Sequence, residues 1–88
     1  MIEREATIVN QEGLHARPAA KIVRLASSFS SEIEIFKDGL AVNGKSIMGV
    51  MMLAAECGSA IVVRADGPDA EQAVEAITQL VAGGFGEA

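Results

Sequence analysis

The sequence predicts one α+β domain over residues 1–88, with helices layered on one face of a small sheet in the order β-α-β-β-α-β-α. Three observations carry this. Stretches of apolar-polar alternation are interleaved with stretches of helical apolar spacing. An Asp38-Gly39 pair joins two of the alternating stretches, and such a pair accepts the positive φ angles of a type I′ hairpin turn. Finally, 88 residues that are 50% hydrophobic supply one modest core and no second one. Pattern alone leaves the strand order open, because a ferredoxin-like arrangement begins with the same elements.

Residues 2–9 read as a strand, with Ile2, Arg4, Ala6 and Ile8 on one face and Glu3, Glu5, Thr7 and Val9 on the other. Residues 10–13 form a loop. The spacing of Ala19, Ile22, Val23 and Ala26 predicts a helix over 16–28, with Lys21 and Arg24 on its other side and a serine cluster ending it. Residues 32–37 alternate again, Ile33 and Ile35 inward and Glu32 and Glu34 outward, and 40–43 return from the hairpin. After the turn at Asn43-Gly44-Lys45, Ser46 suits the N-cap of a short helix reaching about Ala55, with Gly58 as its terminator. Residues 60–66 form a further strand. Gly67-Pro68-Asp69 opens the last helix, whose stripe is Ala73, Val74, Ile77, Leu80 and Val81. Gly83-Gly84 stops it, leaving residues 85–88 as a short tail.

The totals exclude several functions. Seven basic against 12 acidic side chains, a net charge of −5, argue against a nucleic-acid footprint. Three Phe and no Trp or Tyr argue against base-stacking platforms. His15 and Cys57 are the only residues of their kinds, too few for the common zinc sites, and no cofactor motif such as a Walker loop is present. A lone Cys57 excludes an internal disulfide and fits a reducing compartment. Neither a membrane-length apolar run nor a signal-peptide order is found, so the expected location is the cytoplasm, without membrane insertion. Charge is uneven along the chain. The segment from Pro68 onward carries Asp69, Glu71, Glu75 and Glu87 without a basic residue, so a positive face around His15 is compatible with the negative total.

The stretch with chemistry in it is Gly13-Leu14-His15-Ala16-Arg17-Pro18-Ala19-Ala20. Pro18 suits a first helical turn, where its missing N–H costs nothing, and Gly13 lets the chain bend beforehand. His15 and Arg17 therefore stand at a helix N-terminus, whose free N–H groups and dipole favour an anion. A neutral imidazole there is a nucleophile for a phosphoryl group, and Arg17 offers a fork of donors to its oxygens. Both Arg17 and the helix end favour the neutral ring over its cation, and both would stabilise an attached phosphoryl group. The residues alone leave a plain capping histidine open.

Gly-Leu-His-Ala-Arg-Pro-Ala resembles the active-site signature of HPr, the histidine-containing phosphocarrier family of the bacterial phosphotransferase system. Lys45-Ser46-Ile47-Met48-Gly49-Val50-Met51-Met52-Leu53 resembles the family's regulatory serine and the helix after it, and the likeness spans nearly the whole chain. That resemblance implies an open-faced β-sandwich with antiparallel strands in the order 1-4-2-3 and three helices on one side. It implies a relay protein rather than a turnover enzyme, needing no cofactor. His15 would accept a phosphoryl group at Nδ1 from phospho-Enzyme I and pass it to Enzyme II A components, with Arg17 as the partner of the phosphoryl group. Ser46 would be a site for a dedicated kinase, and transcriptional regulators are further partners of a protein expected to be a monomer.

The helix after Ser46 is apolar on almost every side, more than one packed face can bury, so part of it lines the surface. By resemblance Ile47, Met48 and Met51 face partners beside Ala16, Ala20 and Arg24, while Val50 and Leu53 are core. Gly49 stands where some enteric members carry a basic residue. The ending Gly-Gly-Phe-Gly-Glu resembles the nitrogen-related branch, whereas Ser-Ile-Met-Gly resembles the sugar-branch carriers. Two rival functions remain. One is a regulatory binding module acting through the Ser46 helix with His15 silent. The other is a small acylphosphatase-like hydrolase, which would need a phosphate-cradling loop that the sequence lacks.

Overall fold

A computed structural model describes residues 1–87. Four strands, β1 (Ile2–Thr7), β2 (Glu32–Lys37), β3 (Leu40–Asn43) and β4 (Ala60–Asp66), form one antiparallel sheet in the order β1-β4-β2-β3. Three helices, α1 (Ala16–Ser27), α2 (Ile47–Met52) and α3 (Ala70–Ala82), complete the order β-α-β-β-α-β-α. Both the element order and the 1-4-2-3 strand order agree with the expectation.

Between the sheet and the helices lies the core. Ile33, Ile35, Ile61, Val63 and Ala65 project from the strands onto Ala19, Ile22 and Ala26 of α1 and Val74, Ile77 and Val81 of α3. Burial of these side chains, worth roughly 1.5–3 kcal/mol for each larger one, is what draws amphipathic helices onto the sheet. Strand β1 shows how position modifies pattern. Arg4 shares the face of Ala6 and pairs with buried Val63, yet it is exposed, because β1 is an edge strand and a long side chain there reaches water. The ladder stops at Thr7 rather than 9, although Ile8 still bonds Ser59 and Gly58 through its backbone. The hairpin forms as read, with Asp38 at φ 50° and Gly39 at φ 83°.

Two boundaries are corrected. Helix α2 ends at Met52, not near Ala55, and its terminator is Ala54 at φ 49°, not Gly58. The cause is tertiary: Ala55 is buried, and its carbonyl accepts from the Leu14 N–H at 2.9 Å, which removes it from the helix. The expected tail is also structured. Gly84–Gly86 forms a 3-10 turn, and Phe85 is 1% exposed and belongs to the core. A lone aromatic after a helix stop gives no periodicity from which to read burial. Position 88 lies outside the described residues.

Candidate functional site

The loop leading into α1 is built before the helix begins. Gly13 N–H donates to the Asn10 carbonyl, and the Asn10 side-chain amide donates to the Gly13 carbonyl at 2.8 Å. Gly13 has φ 72°, and a Cβ there would stand 2.5 Å from the Ala55 carbonyl oxygen. Only glycine fits that close approach of loop to chain. Leu14 is buried and pinned to Ala55, so the next residue emerges in a set direction.

That residue is His15, at the N-cap of α1 with extended backbone and no side-chain cap. Ala19 N–H closes the first helical turn on the His15 carbonyl. Pro18, third in the helix, has no N–H. Among the described residues none accepts from the N–H of Ala16 or Arg17. These two donors and the positive end of the helix dipole face the side that His15 occupies.

His15, Ala16, Arg17 and Lys21 line an open cleft of about 840 Å³ together with Glu12 and Glu87. Arg17 is exposed and has no ion pair or hydrogen bond among the described residues, so its guanidinium is available to a ligand. Lys21 is engaged, donating to the Phe85 carbonyl. The cleft is of mixed charge, with Arg17 and Lys21 set beside Glu12 and Glu87. His15 Nε2 lies 3.5 Å from a Glu12 carboxylate oxygen and 3.3 Å from one of Glu87. Neither is aligned to bond it, and Nε2 is a buried nitrogen without a hydrogen-bond partner among the described residues. Reading the sequence missed both carboxylates. Glu12 had a signal, three residues before His15; Glu87 comes from the far end of the chain and had none.

Ser46 caps α2. Its hydroxyl accepts from the Gly49 N–H at 3.1 Å, as an N-cap serine should. Helices α1 and α2 pack side by side. On the outer side of α2, Ile47 (45%), Met48 (76%) and Met51 (41%) are exposed, joined by Met52 (67%), which the sequence reading did not single out. Ala16 and Arg24 are exposed and Ala20 half-buried on the neighbouring helix, while Val50 and Leu53 are core. The fold thus leaves the residues of the expected patch on the exposed sides of two adjacent helices.

Residues 2–83 match the family model described as the PTS HPr component phosphorylation site. The phosphocarrier protein HPr of Cupriavidus necator is 48% identical over 87 residues, covering 99% of this chain and 98% of its own. The crystal structure of an HPr from Thermoanaerobacter tengcongensis, 46% identical, superposes with a TM-score of 0.95 over 100% of this chain and 99% of its own. A second structure from that organism, described as an HPr dimer, has a TM-score of 0.79 at 47% identity and covers 99% of this chain and 100% of its own.

Proposed function

The chain belongs to the HPr family of the phosphotransferase system and has a phosphocarrier role, and from that premise we propose that His15 is the residue that carries the phosphoryl group. The Nδ1 lone pair attacks the phosphorus of phospho-Enzyme I. A nitrogen–phosphorus bond forms as the donor's bond to phosphorus breaks and its electron pair stays with the donor. The reverse sequence delivers the group to an Enzyme II A component. The observation that carries this reading is the uncapped start of α1: His15 at the N-cap, with two N–H groups behind it and an Arg17 beside it that have no partner among the described residues. Together they offer preorganised donors to the phosphoryl oxygens.

The patch of Ile47, Met48 and Met51 with Ala16, Ala20 and Arg24 is the surface on which donor and acceptor proteins dock. Flexible Met side chains suit a surface that meets more than one partner. Phosphorylation of Ser46 by a dedicated kinase would add about two negative charges at the edge of that patch. The helix end tolerates them; an acidic partner does not. Cytoplasmic location, a monomeric state and contacts with transcriptional regulators complete the reading. The exposed apolar side of α2 also favours a second reading, a regulatory module that binds through α2 with His15 silent.

Intact-mass spectrometry after incubation with phosphoenolpyruvate and Enzyme I separates the two. One acid-labile phosphoryl unit on the wild type and none on His15→Ala is the expected result. No uptake by the wild type with a competent Enzyme I overturns the carrier reading and leaves the binding module.

A further inference from the structure

The buried, unbonded Nε2 of His15 has a neighbour that the carrier chemistry above does not use. Glu87 holds one carboxylate oxygen 3.3 Å from that nitrogen and accepts from the Asn10 side-chain amide on the other, at 3.2 Å. Asn10 is buried and is itself tied to the Gly13 carbonyl, so it is a fixed donor. Buried Phe85 anchors the turn from which Glu87 projects, and the Lys21 bond to the Phe85 carbonyl joins that turn to α1. The Glu87 side chain is 20% exposed, against 76% for Glu12, so Glu87 is the less hydrated of the two carboxylates.

We propose that Glu87, gripped by Asn10, is a positioning residue that holds the ring proton of His15 on Nε2 and leaves the lone pair on Nδ1. Neutral imidazole carries one proton, and which nitrogen bears it is set by what the other ring atom faces. A carboxylate can only accept, so a ring nitrogen beside it is driven to be the donor. The present contact is close enough for a hydrogen bond and lacks its alignment, and contacts of this kind tighten when a partner closes on the site. During transfer the proton stays on Nε2 while the bond to phosphorus forms at Nδ1, and the carboxylate offsets positive charge as it develops on the ring. The inference rests on His15 being the acceptor.

The direction of the Asn10 bond makes the test unusual. Asn10 presents an N–H, so in Glu87→Gln the new amide turns its oxygen towards Asn10 and its NH2 towards His15. An NH2 donates to Nε2 and moves the ring proton to Nδ1, which blocks the nucleophile. Glu87→Ala removes the bias without inverting it. Imidazole 15N chemical shifts of the neutral ring should show mainly Nε2–H in the wild type, a mixture in Glu87→Ala and a shift towards Nδ1–H in Glu87→Gln. Initial rates of uptake from phospho-Enzyme I should fall in the same order, with the glutamine variant slowed roughly 10-fold or more, as expected for a wrong tautomer. Glu71→Gln, exposed on α3 and outside the cleft, should leave both readouts at wild type. A wild-type ring that is mainly Nδ1–H overturns the proposal without any variant. So do glutamine and alanine variants that keep the wild-type tautomer and rate. The 15N readout needs no transfer, so a wild type that takes up no phosphoryl group defeats the carrier reading alone, and the tautomer data still decide the role of Glu87.

Discussion

Helices α1 and α2 lie side by side and begin in opposite ways. At the start of α2, Ser46 folds its hydroxyl back onto the Gly49 N–H. At the start of α1, His15 makes no such bond, and the donors of Ala16 and Arg17 are left to the cleft. An uncapped helix end gives up about 1 kcal/mol that a serine or aspartate would supply. Keeping one end satisfied and the neighbouring end vacant makes chemical sense where the vacant end is kept for an anion from outside. The same contrast is compatible with the proposed role of Ser46, which caps its helix in the unmodified protein. A phosphate on Ser46 would sit on the closed helix end and leave the open end intact.

The contrast can be broken at either end. The largest effect is expected where the open end is held in place. Gly13→Ala forces an L side chain into φ 72° against the Ala55 carbonyl, and should cost roughly 2–3 kcal/mol in denaturant unfolding. It should slow phosphoryl uptake too, because His15 follows directly. Next, Ser46→Ala removes the closed cap and should cost about 1 kcal/mol while leaving His15 uptake unchanged. If uptake falls in the unmodified variant, the two helix ends are not separable in function. Smaller again is Ala54→Gly. It relieves the left-handed residue that ends α2 and should stabilise by roughly 0.5–1 kcal/mol, seen as a higher thermal midpoint.

The third helix start sharpens the comparison through pH. Asp69 stands at the N-cap of α3 but spends its carboxylate elsewhere, accepting from the Ser31 hydroxyl and from the backbone N–H groups of Ser30 and Ser31. The Ser31 hydroxyl bond, followed by the Ser30 backbone bond, holds its pKa below the ordinary 3.8. A carboxyl lowered by folding contributes stability that is present above 3.8 and is lost as pH falls through the lower folded value. Acid titration of stability should therefore steepen below about pH 4, and Asp69→Asn should remove that component. An unchanged acid profile in the variant would mean that the carboxylate contributes nothing to folding.

Much of this molecule was legible locally. Alternation placed the strands, apolar spacing placed α1 and α3, and Asp38-Gly39 marked the hairpin, since each depends on residues a few positions apart. His15, Arg17 and Ser46 stood out for the same reason: a helix start is a local event, and the residues able to serve it are few. The short end of α2 was not legible, because Ala55 left the helix to hold Leu14, a residue 41 positions earlier.

By itself, then, the sequence determined the kind and order of the elements, the signature around His15 and the apolar excess of the α2 segment. Only the tertiary structure decided that Phe85 is core, that Met52 joins Ile47, Met48 and Met51 at the surface, and that Lys21 is engaged with a carbonyl. It alone brought Glu87 to the imidazole and Asn10 to Glu87. Periodicity reports contacts within one turn or one pleat, whereas a carboxylate 72 positions from its histidine is placed by the packing of everything between them.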